Sequence, residues 1–189
     1  MIPPLDVATG HLPPGRYRCT LHEIESAFVN DVKFTGSDSR RRLFDGLLRY
    51  LQEWHLSQEA LGATNVLRSV WVAGSFTSNK LDPRDVDITP LVDGPKLADL
   101  DGKPGCGRVK ALFGHRKTVF KEFGVEPYPV TWWPLTTLRH TKYSNLEHDY
   151  ALVRGVMDDF WQRTRSYEGQ GKLTVDSAGT RRGYLEVRV

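Results

Sequence analysis

The sequence predicts a mixed α/β domain in which a small sheet is covered by helices. Short apolar runs alternate along its 189 residues with segments whose apolar residues recur at helical spacing. The chain is 39% hydrophobic and 26% charged, as is ordinary for a globular protein, and its length suits one domain. A net charge of +3 does not by itself identify a nucleic-acid binder, and two cysteines argue against a disulfide framework.

Helical periodicity predicts most of the secondary structure. Helices are expected over residues 21–29, 38–54, 57–67, 107–123 and 144–165, the third of them as a helix or as a helix and a loop. The helix over 38–54 has an apolar stripe made of Leu43, Phe44, Leu47, Leu48, Leu51 and Trp54. The last helix opens with Ser144-Asn145-Leu146-Glu147, which has the form of a capping box. Its predicted apolar face consists of Leu146, Tyr150, Val153, Met157 and Phe160.

Four apolar runs predict strands over residues 70–73, 86–92, 124–133 and 183–189. Pro127 and Pro129 push the third strand toward a sheet edge. Loops are expected over residues 93–106, with one helical turn, and over residues 169–180. We expect a single domain over residues 1–189, comprising an extended N-terminal arm over 1–20, a core over 38–133 and a C-terminal helix and strand over 144–189.

The most informative stretch lies between the first two predicted strands. Gly74-Ser75 follows the first strand, and nine residues separate it from Asp85, with Asp87 two positions further on. Residues two apart in a strand point to the same face, so Asp85 and Asp87 are expected side by side. Adjacent carboxylates repel unless a cation lies between them or one takes a proton, and Mg²⁺ suits oxygen ligands. A Gly-Ser turn offers N–H groups and a hydroxyl to phosphate oxygens, so we expect chemistry on a nucleoside triphosphate.

This stretch resembles the signature of the nucleotidyltransferase superfamily (DNA polymerase β-like), which is a strand, Gly-Ser, a spacer and Asp-x-Asp. The longer pattern Gly74-Ser75-Phe76-x-Ser78-x-Lys80-x-x-Pro83-x-Asp85-x-Asp87 resembles a small bacterial and phage branch of minimal nucleotidyltransferase-like proteins. The opening Leu12-Pro13-Pro14-Gly15 and the final apolar strand agree with that branch. The resemblance implies a compact nucleotidyltransferase core with a helical C-terminal portion.

The resemblance also implies catalytic and metal-binding roles for Asp85, Asp87 and Glu126. The superfamily usually places a third carboxylate on a neighbouring strand, and Glu126 holds that place, although Asp is commoner there and Pro127 disturbs the strand. Glu122 is the alternative, on the preceding helix. The implied cofactor is Mg²⁺, with two ions possible and Mn²⁺ able to substitute. A turn aspartate, an exposed strand aspartate and a solvated glutamate are the structural alternatives.

Nucleotide binding is expected from Gly74, Ser75 and Lys80. The Ser75 hydroxyl or its backbone would bind a phosphate oxygen, and the Lys80 ammonium would pair with a β- or γ-phosphate; an exposed loop lysine is the alternative. Arg84 would either contact substrate or neutralise its acidic neighbours.

The acceptor class is open among an RNA 3′ end, a protein hydroxyl and a small molecule. RNA such as tRNA is favoured because basic residues cluster on predicted helices and before the last strand. These residues are Lys110, Lys117, Lys121, Arg40, Arg41, Arg42, Arg181 and Arg182. A solvated surface is the alternative, and Trp132 and Trp133 would either stack on a base or pack in the core. The resemblance to minimal nucleotidyltransferase-like proteins also implies a role in a toxin–antitoxin or phage-defence module, with a cognate toxin or antitoxin as the partner.

Several other classes find no support in the sequence. No apolar run approaches the roughly 18 residues of a membrane span, and the N-terminus lacks a signal-peptide layout, so we expect a cytoplasmic protein with no membrane partner. The six histidines show no His-x-x-x-His spacing, and the P-loop and Gly-x-Ser-x-Gly patterns are absent. Two hypotheses stay open beside the enzyme: a catalytically silent nucleotidyltransferase fold acting as a binding or regulatory, antitoxin-like module, and an unrelated α/β domain.

Overall fold

A computed structural model describes residues 1–164 and 181–189, which form a six-stranded sheet with helices on both faces. The strands are β1 Gly15–Cys19, β2 Leu67–Ala73, β3 Val86–Asp93, β4 Val125–Pro127, β5 Val130–Trp132 and β6 Gly183–Arg188. In this part of the chain the helices are α1 Leu21–Phe28, α2 Arg40–Ala60, α3 Gly94–Ala98, α4 Cys106–Gly114, α5 Arg116–Phe123 and α6 Asn145–Trp161. The predicted mixed α/β class is confirmed.

The sheet has the strand order β1-β6-β2-β3-β4, and β5 also pairs with β3. Strand β2 is antiparallel to both of its neighbours, whereas β1 pairs parallel with β6, and β4 and β5 pair parallel with β3. The C-terminal end of β2 therefore meets the N-terminal ends of β3 and β6. Ala73 lies opposite Asp87, and Val72 lies opposite both Ile88 and Leu185. This edge of the sheet therefore contains the Gly-Ser turn, the Asp-x-Asp pair and the start of the last strand.

Two apolar clusters cover the two faces of the sheet. One face carries Val70, Val72 and Ile88 against α1, α2, α4 and α5. The other carries Trp71 and Tyr184 beneath α6. Because side chains alternate along a strand, Asp87 and Thr89 point to the α6 face. The indole N–H of Trp161 donates to Thr89 Oγ1 at 2.7 Å, which fixes the end of α6 over β3.

The N-terminal residues differ from the predicted arm. Gly15–Cys19 do not lie over the surface but form β1, which pairs in parallel with β6 through register partners such as Tyr17 and Leu185. The alternation of exposed and half-buried residues along β1 is that of an edge strand. The predicted helix after it is confirmed as α1, which begins with a capping box formed by Thr20 and Glu23.

The helix boundaries in the middle of the chain required two corrections. The predicted helices over 38–54 and 57–67 are largely one helix, α2, because no proline interrupts it and it ends just before Gly62, where φ is +68°. Leu67 already begins β2. Conversely, the predicted helix over 107–123 is two, α4 and α5, because the backbone turns at His115, where ψ is 67°. The helical turn expected within 93–106 is α3.

The third predicted strand is split in two at Tyr128 and Pro129. Strands β4 and β5 pair with different parts of β3, and the Tyr128 amide donates to the Ile88 carbonyl between them. Proline has no amide proton to continue the ladder, so the break follows from the prolines. The last predicted strand is confirmed as β6.

Helix α6 begins where the capping box predicts. The Ser144 hydroxyl accepts from the Glu147 amide, and the Glu147 carboxylate accepts from the Ser144 amide. The helix ends at Trp161, short of the predicted end. Its apolar face is buried only in part, since Tyr150 is buried while Leu146 and Val153 are 49% and 40% exposed. The predicted loop over 169–180 lies outside the described residues. Among those residues, no helix is both long and apolar enough to span a membrane.

Candidate functional site

Three carboxylates predicted from the sequence come together at the shared edge of β2, β3 and β4. Asp85 immediately precedes β3, and Asp87 lies within it. Asp87 is the register partner of Glu126 in the parallel pair β3–β4, so their side chains share one face. Asp85 is buried, and the Glu126 side chain is 14% exposed. The three carboxylates therefore form a row at the edge of the sheet where β3 and β4 begin.

The row concentrates negative charge in a poorly solvated place. Burial, followed by the charges of Asp85 and Glu126, raises the pKa of Asp87 to about 7, against the opposing influence of Arg182 and Arg116. Near neutral pH Asp87 is thus divided between its neutral and charged forms.

Two arginines partly neutralise the row. Arg84 contacts Asp85 through Nε at 3.2 Å and Glu126 through Nη2 at 3.8 Å, so it pairs with acids of the row. Arg116, at the start of α5, donates to the Glu126 carboxylate and to the Tyr128 hydroxyl. Its guanidinium also lies 4.2 Å from the centre of the Tyr128 ring. The Arg84 side chain is 77% exposed, which makes its ion pairs weak and exchangeable.

The donor chemistry of the row fits a divalent cation. Asp85, Asp87 and Glu126 supply hard carboxylate oxygens, and the pKa of Asp87 is raised first by burial and then by its two acidic neighbours. A bound cation would stabilise the charged forms of these carboxylates. Within residues 1–164 and 181–189, however, no group of three Asp, Glu, His or Cys side chains is arranged so that it could hold a metal ion as it stands. Binding a metal ion would require the ion pairs with Arg84 and Arg116 to open.

The Gly-Ser turn packs directly against the row. Gly74 has φ of +75°, and a Cβ atom there would lie 1.9 Å from Asp87 Oδ2. A glycine is therefore needed both for the backbone conformation and for the close approach. The turn is tight, since the Ser75 carbonyl accepts from the Ser78 hydroxyl at 2.8 Å and the Gly74 carbonyl accepts from the Thr77 hydroxyl at 3.2 Å. Ser75 itself is half-buried.

Arg40 holds the loop that follows the turn. Its buried guanidinium donates five hydrogen bonds to backbone carbonyls and lies 3.6 Å from the centre of the Phe34 ring. The acceptors are the carbonyls of Phe28, Phe76, Ser78, Lys80 and Leu81. Arg40 is thus part of the scaffold of the site, and its assignment to a basic RNA-binding surface was wrong. The Lys80 side chain remains exposed on the loop.

Both ends of the chain also reach the site. Arg182, just before β6, donates through Nη1 to the Gly74 carbonyl at 3.3 Å and through Nε to the Trp161 carbonyl at 3.2 Å. On the other side of the loop, the Asn79 amide donates to the Gly10 carbonyl at 2.8 Å. Sequence reasoning missed the positions of Arg116, Tyr128 and His11, and it treated Arg182 only as part of a basic surface.

The remaining predicted candidates lie elsewhere. Glu122, the alternative third carboxylate, pairs with Arg108 on α4 at 2.7 Å. Lys110, Lys117 and Lys121 do not share one helix face, because the chain turns at His115, and Lys110 pairs with Asp101. Trp132 packs under the guanidinium of Arg68, 3.7 Å from its ring centre. A cavity of about 480 Å³ beside Gly94 and Trp133 has none of the three carboxylates in its lining.

The chain belongs to a family of unknown function, DUF6932. The family pattern matches residues 3–188, a range that contains the carboxylate row, the Gly-Ser turn, Arg40 and Arg182. Comparison with curated proteins and with solved structures found no match.

Proposed function

We propose that this protein is a metal-dependent nucleotidyltransferase that moves a nucleoside monophosphate from a nucleoside triphosphate to an acceptor hydroxyl. The observation that carries the proposal is the parallel register of Asp87 with Glu126, which puts three carboxylates beside a Gly-Ser turn that touches Asp87. Attack on a triphosphate needs charge neutralisation and in-line placement more than covalent help. A carboxylate row next to a Gly-Ser turn would serve those two needs.

Each side chain has a distinct role in this proposal. Asp85, Asp87 and Glu126 would hold Mg²⁺, which when bound neutralises charge on the attacking and leaving oxygens. Glu126, at the open edge of the sheet, would also orient the acceptor hydroxyl as a hydrogen-bond acceptor. Ser75 and the exposed Lys80 would bind the triphosphate oxygens. Arg84 would release the carboxylates it now contacts and turn toward the substrate.

RNA such as tRNA is the acceptor that we favour. Lys117 and Lys121 are exposed on α5, which begins at Arg116 beside Glu126, so positive charge lies next to the proposed reaction centre. A protein or small-molecule hydroxyl remains an alternative acceptor. The setting that we propose is a cytoplasmic toxin–antitoxin or phage-defence module with a cognate partner protein, which rests on the sequence resemblance.

A catalytically silent binding module is the second candidate, and one observation favours it. Arg84 and Arg116 already pair with Asp85 and Glu126, so the row is partly neutralised by the protein's own side chains. A silent module would keep these ion pairs and bind a regulatory ligand or a partner protein without transferring a nucleotidyl group.

Labelled nucleotide transfer separates the two candidates. The purified protein is incubated with Mg²⁺, total tRNA and each α-³²P-labelled nucleoside triphosphate in turn. We expect label on RNA or on the protein, and the double variant Asp85→Asn, Asp87→Asn should reduce it by about a hundredfold or more, as loss of charge stabilisation does in other enzymes.

The matched control is Glu122→Gln, which removes a carboxylate from α5 that pairs with Arg108 and lies outside the row. This variant should transfer label like the wild type. Absence of label from every triphosphate, together with no Mg²⁺–nucleotide binding by calorimetry, would reject the enzyme in favour of the silent module.

A further inference from the structure

The N-terminal residues 10–12 lie between the loop after the Gly-Ser turn and the start of β6. On one side the Asn79 amide donates to the Gly10 carbonyl, and His11 forms an antiparallel bridge with Ser78. On the other side the Gly183 amide donates to the Leu12 carbonyl at 2.8 Å. Leu12 is fully buried. His11 is therefore held at a fixed place between the loop and Arg182.

Gly10 is the reason why the chain can approach the loop so closely. Its φ is +69°, and a Cβ atom at this position would lie 2.2 Å from the Asn79 side chain. The contact fixes the backbone immediately before His11. The position of the imidazole thus follows from backbone contacts on both of its sides.

The two ring nitrogens of His11 have different surroundings. Nδ1 is enclosed and has no hydrogen-bond partner among the described residues, whereas Nε2 is not enclosed in this way. A buried N–H without an acceptor is costly, so the proton of the neutral ring belongs on Nε2. Burial, together with the positive charge of Arg182, lowers the pKa of His11 and keeps the ring neutral at physiological pH. Nε2–H is then a donor without an acceptor in residues 1–164 and 181–189.

We propose that His11 is a phosphate-binding residue, whose Nε2–H donates to an oxygen of a polyphosphate bound at the Gly74-Ser75 turn. This inference rests on the proposed function, because it assigns a further contact to the same triphosphate. The guanidinium of Arg182 acts electrostatically on both His11 and Asp87 and donates to the Gly74 carbonyl. It therefore links the histidine to the turn and to the carboxylate row.

An anion at this place has a measurable effect on the histidine. Among the residues that the structure describes, Arg182 is the charged group that acts on His11, and the facing loop residues Ser78 and Asn79 are neutral. The negative charge of a polyphosphate beside the ring would favour the imidazolium form. An opposite charge within hydrogen-bonding range shifts a pKa by about 1–3 units.

The test is an NMR titration of the histidine ring nitrogens in the full chain, with inorganic tripolyphosphate as the probe. We expect the pKa of His11 to rise by about one unit or more when the probe is added. His148, which is exposed on α6, should not shift. An equal response from His11 and His148 would overturn the proposal. The titration is made on the wild-type protein, and His11→Gln serves only to assign the NMR signal of His11.

Binding affinity gives a second readout. His11→Leu, which has no side-chain donor, should weaken tripolyphosphate binding by about tenfold, since a hydrogen bond to a charged group is lost. His148→Leu should bind like the wild type, and unchanged binding by His11→Leu would contradict the proposal. If His11 responds to tripolyphosphate but no nucleotide is transferred, the enzyme proposal fails alone. If transfer depends on Asp85 and Asp87 but His11→Leu leaves the KM for the triphosphate unchanged, the histidine proposal fails alone.

Discussion

At the scale of single residues, the ionised form of Asp87 lowers the stability of the folded protein. Its pKa is about 7 in the fold against 3.8 in an ordinary setting, so the folded protein retains a proton that the unfolded chain has released between those values. The folded state binds more protons there, and stability falls as the pH rises through this window. The carboxylate is therefore held in a place that disfavours its charged form, as is common at functional sites.

Asp87→Asn should become more stable than the wild type as the pH is raised from 5 to 8 without metal. The amide carries no charge to bury, and the advantage at pH 8 should reach about 1–3 kcal/mol, less than the full value of the pKa shift because the site relaxes. Denaturant unfolding at the two pH values measures it. Asp149→Asn, on the exposed surface of α6, is the control and should show no pH-dependent difference.

The same variants test the cation. Mg²⁺ should restore the stability of the wild type at pH 8, because the ion binds ionised carboxylates of the folded state, and it should not affect Asp87→Asn in this way. A stability difference that is constant across the pH range would contradict the raised pKa. If Mg²⁺ does not change the stability of the wild type at pH 8, the result would contradict the proposed metal site.

At the scale of elements, Arg40 connects α2 to the loop between the Gly-Ser turn and the carboxylates. One guanidinium satisfies five carbonyls, four of them from residues 76–81. Lysine has one nitrogen and three donors, so it cannot replace the planar fork. The conformation of the loop thus depends on the N-terminal turn of a helix that is distant in sequence.

Arg40→Met should cost about 3–5 kcal/mol of unfolding free energy, because it leaves buried carbonyls without donors. Arg42→Met is the matched control on the exposed side of the same helical turn and should change stability by less than about 0.5 kcal/mol. Chemical denaturation of both variants measures the difference. Equal, small effects would mean that the loop keeps its shape without Arg40.

The elements also show what could be predicted from the sequence. Asp85 and Asp87 were predictable as neighbours, because strand periodicity is a local property of the chain. The place of Glu126 on the adjacent strand was implied by the resemblance of the sequence to a known pattern. The role of Arg40 was not, since burial of one arginine among three depends on tertiary contacts with the loop. Arg116 was hidden inside a predicted continuous helix. Only the break at His115 makes it the first residue of α5, next to Glu126.

At the scale of the whole molecule, β1 and β6 complete the sheet, and residues next to them contact the Gly-Ser turn and the loop after it. Strand β6 lies between β1 and β2, so residues far apart in sequence are adjacent at the edge where the Gly-Ser turn lies. The predicted division into an N-terminal arm, a core and a C-terminal portion could not anticipate this arrangement. Parallel pairing of β1 with β6 spans nearly the full length of the chain, and such long-range contacts leave no local signal in a sequence.

Deletion of residues 2–10 should loosen the loop after the Gly-Ser turn while the sheet persists. The deletion puts Met1 in the place of Gly10, where φ is +69° and a Cβ atom would lie 2.2 Å from the Asn79 side chain. The hydrogen bond of the Asn79 amide should therefore be lost, and this amide should exchange its hydrogen about tenfold faster. The Gly183 amide donates to Leu12, which the deletion retains, and its exchange rate should change far less. Hydrogen-exchange NMR compares both amides within one sample. Equal acceleration of both would show that residues 2–10 stabilise the whole sheet and not the loop, because a global loss of stability raises all protected exchange rates together.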